Sequence, residues 1–219
     1  PCRPDVTWID TPDGVPSATI TDLDPLGLAQ VSRSLASQRR PLEEARRLCE
    51  PVKIADAAVL VVMGFGLGYH VAELARRVRK TGIIIVFEPD VSLLRSVFER
   101  LDMSGWLEQT NLVVLTDPSD SAAMARAIQG NEHAVALGTQ IVEHPASRAR
   151  LGDASRQFQA GFTDVVRAAR TTVVTTMVQT QATLRNLTQN IDHYALGPGI
   201  EDLRNATRGR SAVVVSAGP

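Results

Sequence analysis

Three glycines spaced two apart, Gly64, Gly66 and Gly68, lie in the run Val61-Val62-Met63-Gly64-Phe65-Gly66-Leu67-Gly68-Tyr69-His70. An apolar strand that runs into closely spaced glycines and then a helix lets the backbone approach a ligand. The helix start adds unpaired N–H groups and a partial positive charge. Glu88 ends the next apolar run, where a carboxylate can accept hydrogen bonds from two ribose hydroxyls. Together, Gly64, Gly66, Gly68 and Glu88 predict a site for an adenosine-type nucleotide. A second reading needs no ligand, because the same glycines permit a tight strand-to-helix turn. The dinucleotide fingerprint also wants a small residue three positions after its second glycine, and Tyr69 stands there.

Other reactive side chains are less organised. His70, His133, His144 and His193 are scattered without an i, i+4 pair, which argues against a metal centre. His70, next to the glycines, reads either as a ligand-facing residue or as ordinary helix packing. Asp90 in Glu88-Pro89-Asp90 is a catalytic or ribose-binding partner of Glu88, or simply the N-cap of the following helix. Asp22 and Asp24 read as turn residues. No Gly-x-Ser-x-Gly elbow supports triad hydrolysis. Arg33, Arg39, Arg40, Arg46 and Arg47 are interrupted by Glu43 and Glu44, the pattern of a solvated helix face rather than a phosphate site.

These residues need elements to hold them. Residues 1–25 are rich in turn formers, with short strands expected at Val6–Ile9 and Ala18–Ile20 around Pro12-Asp13-Gly14. From Leu26 to Cys49 the pattern reads helical, with Pro41 splitting or kinking it. Apolar runs at Ala57–Met63, Ile83–Phe87, Leu112–Leu115 and Ala134–Leu137 read as four strands. Helical spacing separates them at Tyr69–Lys80, Val91–Leu101 (inner face Leu94, Val97, Phe98, Leu101) and Ser119–Gln129.

Strands that are apolar throughout need both sheet faces covered, which predicts parallel strands with helical crossovers. The fold expected is therefore α/β: a Rossmann-like three-layer domain with a mostly parallel sheet. One long helix follows from Asp153 to about Gln189, its apolar positions running from Phe158 and Phe162 through Val173 and Met177 to Leu184 and Leu187. Poor helix formers at Thr171–Thr176 predict a kink there. Beyond Gly197-Pro198-Gly199, a short helix at Ile200–Ala206 and a strand at Ala212–Ser216 read as the opening of a second α/β domain. The expected organisation is an N-terminal β/helical segment over 1–50, the Rossmann-like domain over 51–150, a helical linker over 151–196 and a truncated domain over 197–219.

Composition excludes several classes. The 219 residues carry a formal charge of −1, so no broad positive field recruits nucleic acid or anionic lipid. With 44% hydrophobic and 21% charged residues the chain has the means to fold, and no apolar run is long enough for a membrane span. Cys2 and Cys49 form neither a disulfide framework nor a zinc pattern and fit a reducing cytoplasm. Lys53 and Lys80 are the only lysines, an arginine bias read as genomic. The chain opens on Pro1 and stops at Pro219 behind an apolar run, and so reads as a piece of a longer protein.

Two family resemblances bear on the motifs. The glycines at 64, 66 and 68 resemble the glycine loop of S-adenosylmethionine-dependent methyltransferases, although Val62 stands where that family places an acid. More of the chain is similar to the motility accessory factor family of flagellin glycosyltransferases. That likeness rests on Gly64-Phe65-Gly66-Leu67-Gly68-Tyr69-His70 with Ile85-Val86-Phe87-Glu88-Pro89-Asp90. It extends to Gly199-Ile200-Glu201-Asp202-Leu203 and Ala212-Val213-Val214-Val215-Ser216-Ala217-Gly218-Pro219.

The second resemblance implies a parent enzyme that moves a nonulosonic acid from a cytidine-monophosphate carrier to serine or threonine hydroxyls of flagellin. It places the chemistry in a central domain, of which Ser216 and Gly218 would begin a phosphate-binding loop. That domain also resembles an archaeal 6-hydroxymethylpterin diphosphokinase, which keeps pyrophosphoryl transfer open for the parent. The present chain is then an accessory piece with no cofactor of its own, S-adenosylmethionine entering only under the methyltransferase reading. Flagellin or another protein acceptor is the expected partner, along with a second copy of the chain through the 153–189 helix.

Overall fold

The computed structural model describes residues 5–23, 30–197, 204, 208–211 and 213. Its described residues divide into two compact units, Pro1–Val173 and Val174–Pro219. The first unit opens with β1 (Val6–Ile9), β2 (Ser17–Leu23) and β3 (Gln30–Ser34), which pair as an antiparallel sheet in the order β1-β2-β3. Gly14, at φ +75, closes the first turn by donating to the Thr11 carbonyl at 3.1 Å.

The rest of this unit alternates strand and helix. After α1 (Pro41–Cys49) come β4 (Val59–Met63), α2 (Tyr69–Val78), β5 (Ile83–Phe87), α3 (Val91–Arg100) and α4 (Ser104–Leu107). Then follow β6 (Leu112–Leu115), α5 (Ser121–Ile128), α6 (Glu132–Leu137), β7 (Thr139–Glu143) and the start of α7 (Pro145–Gln189). The sheet is parallel in the order β6-β5-β4-β7, with Val61 aligned to Ile85 on one side and to Ile141 on the other. This is a Rossmann-like α/β fold.

Every residue of β4 and β5 is buried, as strands covered on both faces must be. Alternate residues feed two cores. Leu60, Val62, Ile84 and Val86 pack with Val71, Leu74 and Val78 of α2 and Leu93 and Val97 of α3, and this core also takes Ala18, Ile20 and Leu35. Val59, Val61, Met63, Ile83, Ile85 and Phe87 face Met124 and Ile128 of α5, Val135 of α6, and Leu151, Phe158 and Phe162 of α7.

Several expectations are corrected. Ala134–Leu137 is helical, within α6, and the fourth parallel strand is Thr139–Glu143. A four-residue apolar run does not distinguish strand from helix. The true strand is harder to read because only Ile141 and Val142 in it are apolar, Val142 buried and Ile141 46% exposed. The helical reading of Leu26–Cys49 fails over Gln30–Ser34, which pairs with β2. Pro41 starts α1 rather than kinking a longer helix, because its missing N–H falls among donors that have no partner in a first turn.

Phe98 is 43% exposed rather than inward, although its ring lies 5.3 Å from that of Phe65. Thr171–Thr176 does not break α7. The break is at Gly152, at φ +45, while Thr171 and Thr172 donate their hydroxyls to the carbonyls of Arg167 and Ala168.

The second unit contains the end of α7 from Val174 and α8 (Ile191–Leu196). Met177, Leu184 and Leu187, apolar positions of the expected long helix, are exposed. The expected helix at Ile200–Ala206 and strand at Ala212–Ser216 lie largely outside the described residues, as do Ser216 and Gly218. Among the described residues, no helix is long and apolar enough to cross a membrane.

Candidate functional site at the carboxyl end of the parallel sheet

The first strand of the sheet, β4, has β5 on one side and β7 on the other. Open parallel sheets bind ligands in the crevice outside the strand ends where the strand order reverses, here between β4 and β7. The glycine loop leaves β4 at this point. Gly64, Gly66 and Gly68 have φ of +97, +53 and +79, the left-handed region that favours glycine. Gly68 donates to the Phe65 carbonyl at 2.8 Å, and its own carbonyl accepts from Ala72 in the first turn of α2. Phe65 and Leu67, between the glycines, turn into the core.

The bare faces of these glycines meet the protein itself. A methyl group added to Gly64 would collide with the Ser147 side chain. One added to Gly66 would lie 2.5 Å from His144 Cε1, and one on Gly68 would lie 2.9 Å from the Phe65 ring. The close approach that glycine permits is therefore used by Ser147 and His144, which follow β7, and by Phe65 within the loop.

His144 is tied to the loop in three ways. Its amide donates to the Met63 carbonyl at 3.0 Å. Its Nδ1 lies 2.8 Å from Ser147 Oγ. Its ring stacks on that of His70, with centroids 4.4 Å apart and planes within 5°. His70 Nε2 lies 3.0 Å from the Gly64 carbonyl and carries the proton it donates there. Burial pushes His70 down to about 4, the backbone bond to Gly64 opposing. Burial also holds His144 well below the usual imidazole value, helped by the neighbouring His70 and Arg150 and opposed by the Leu35 backbone. Both rings are neutral at pH 7.

Glu88 is fully buried and four donors converge on it. Phe65 N–H reaches Oε2 at 3.1 Å and Asp90 N–H reaches Oε1 at 3.1 Å. Arg150, whose side chain is 8% exposed, adds a bidentate pair at 2.6 and 2.5 Å. The glycine loop, the end of β5 and the first turns of α7 thus share one carboxylate. Asp90 accepts from Leu93 N–H at 2.8 Å, which makes it the N-cap of α3. A ribose at Glu88 would have to displace Arg150.

Outside the histidine pair lies an open cleft of about 850 Å³. His70 and His144 line one side of it, and α1 with the preceding loop lines the other. The charges here are solvated: Glu43 lies between Arg40 and Arg47, and Glu44 accepts from Ser37 N–H. Of the arginine cluster expected on one solvated helix face, Arg46 and Arg47 stand exposed on α1, whereas Arg39 and Arg40 precede the helix and Arg33 is half-buried on β3.

The arrangement limits the chemistry available. Ser147 and His144 have the spacing of a nucleophile and its base, but Ser147 is completely buried and, among the described residues, the ring has no orienting carboxylate. Val62, which aligns with the acid of the methyltransferase loop, is a core residue. No family model, curated protein or solved structure matches this chain. Among the described residues, no group of three or more histidines, cysteines or carboxylates could hold a metal ion.

His144, Ser147 and Arg150 carry no sequence motif. They become visible only once the fourth strand is placed at Thr139–Glu143, because the residues after it must then meet the glycine loop.

Proposed function

We propose that the first unit is an accessory, non-catalytic Rossmann-like domain of a motility accessory factor-type protein glycosyltransferase, acting in the cytoplasm. The observation that supports its non-catalytic character is the filled loop: Ser147 and His144 lie against Gly64 and Gly66, and Arg150 occupies Glu88. A domain that bound nucleotide there would leave those glycines uncovered and that carboxylate free. The parent activity rests on the resemblance of the glycine loop, Glu88-Pro89-Asp90 and the Ala212–Pro219 run. On that reading, the parent transfers a nonulosonic acid from its cytidine-monophosphate carrier to flagellin serine or threonine. The sugar donor is held by the domain that Ser216 and Gly218 open, while the present domain supports it or presents the acceptor.

Two measurements test the two halves of this reading. Titration calorimetry of the chain with S-adenosylhomocysteine is expected to give no heat of binding; micromolar affinity would instead favour the methyltransferase alternative. The full-length parent, given cytidine-activated nonulosonic acid and flagellin, is expected to transfer the sugar. Absence of both donor binding and transfer would remove the family assignment and leave the filled loop as it stands.

A further inference from the structure

The cleft outside the histidine pair is lined by polar groups that the fold leaves unmet. His70 is the most deeply placed of them, at 3% exposure. Its Nε2 faces the Gly64 carbonyl, which can only accept, so the proton of the neutral ring sits on Nε2 and Nδ1 keeps a lone pair. The two ring nitrogens point in widely different directions, so Nδ1 turns away from the glycine loop. Among the described residues nothing donates to Nδ1, yet it is not one of the side-chain atoms sealed from solvent without a partner. Its lone pair therefore opens on the cleft that His70 lines. An acceptor this deeply buried is costly to leave without a donor.

Donors stand on the other side of the cleft. Ser37 Oγ accepts the N–H groups of Arg39 and Arg40 at 3.3 and 3.1 Å, which leaves its own O–H to donate. Arg40 is paired with Glu43, whereas Arg39 has no ion-pair partner among the described residues. The first turn of α1 follows directly, without a side-chain cap, so its N–H groups and the positive end of its dipole are open. Leu35, Leu48, Leu67 and Tyr69 add apolar wall. A volume of about 850 Å³ lies within the range of small-molecule sites.

We propose that this cleft binds a small phosphate ester that carries a free hydroxyl. The phosphate is held by Arg39, the Ser37 hydroxyl and the start of α1, and the hydroxyl donates to His70 Nδ1. Each part of the ligand answers a different group. An anion without a hydroxyl leaves Nδ1 unmet, and a neutral polyol leaves Arg39 and the helix end unmet. Phosphate suits the anionic end better than carboxylate, because it brings three acceptor oxygens and a charge of about −1.5 to −2 at pH 7 to three kinds of donor. The site is separate from the filled glycine loop and does not depend on what the parent protein transfers.

Titration calorimetry of the full chain with glycerol 3-phosphate, ribose 5-phosphate and glucose 6-phosphate tests this, with inorganic phosphate and glucose as the two half-ligands. At least one ester is expected to bind roughly tenfold or more tighter than either half-ligand, the factor one added hydrogen bond to a charged or buried group supplies. Arg39→Ala changes an exposed side chain and should weaken that ester about tenfold with the thermal transition unchanged. Arg100→Ala, an exposed arginine of α3 that does not line the cleft, should leave the affinity as it was. In nitrogen spectra of histidine-labelled chain, the His70 Nδ1 signal should move with the ester and not with inorganic phosphate. Failure of all three esters to bind at millimolar concentration overturns the proposal. So does inorganic phosphate that binds as tightly as the esters, since His70 then takes no part. An ester affinity untouched by Arg39→Ala overturns it as well, because the anion is then held elsewhere.

Discussion

The two sides of the stacked His70–His144 pair use the same residue types with opposite results. On the inner side, Arg150 and Glu88 are sealed from water, bidentate and joined by two backbone donors. On the outer side, Arg40, Arg47 and Glu43 form comparable pairs with their guanidinium groups exposed, around an open cleft. Motif chemistry read from residue types cannot separate the two. Burial does, because a charge taken out of water must meet an opposite charge, whereas a solvated one need not.

The sharpest way to break the contrast is to remove one inner charge. Arg150→Met leaves Glu88 buried without its ion-pair partner and should cost about 3–5 kcal/mol of stability in urea unfolding. The double variant Arg150→Met/Glu88→Gln should recover a large part of that loss. A single variant as stable as wild type would mean that the inner side is no more sealed than the outer one.

Acid probes the same wall next. His70 has a folded value of about 4 against an ordinary value near 6.5. Between those values the unfolded chain takes up a proton that the folded chain refuses, so this contribution is intact above pH 6.5 and lost as pH falls toward 4. The loss should be on the order of 3 kcal/mol, and His144 acts in the same direction. Urea midpoints at pH 7 and pH 4.5 measure it, and His70→Gln should flatten the slope. Equal wild-type midpoints would place these rings in water.

Gly66→Ala gives a smaller effect. The new methyl meets the His144 ring in a backbone region that alanine avoids, which should cost about 1–3 kcal/mol. His144→Ala in the same chain should relieve part of this, so the two changes are expected to be non-additive. Strict additivity would show that His144 does not fill the loop. The smallest effect belongs to the outer side: Arg47→Ala should leave the urea midpoint unchanged within error.

Legibility followed burial and periodicity. Val59–Met63 and Ile83–Phe87 were readable because continuous apolar runs between helical segments fit strands covered on both faces. The Rossmann-like class followed from them. Thr139–Glu143 was not readable because Thr139, Gln140 and Glu143 leave it only two apolar positions, whereas the other edge strand, Leu112–Leu115, is apolar throughout. The strand Gln30–Ser34 was hidden for a related reason, its partner β2 being what makes it a strand. At the site, the three glycines and Glu88 were found from their types and spacing. What they touch was not, because His144, Ser147 and Arg150 lie more than fifty residues further along the chain.

Sequence alone therefore determined the local terms: which runs are apolar enough to be sheet, where glycine permits a left-handed turn, and that Asp90 can cap a helix. Tertiary structure alone decided whether the glycine loop faces a ligand or its own chain. The physical reason is that a close approach is a property of two surfaces. A glycine states only that something can come near, and the strand order β6-β5-β4-β7 determines that the something is His144 and Ser147.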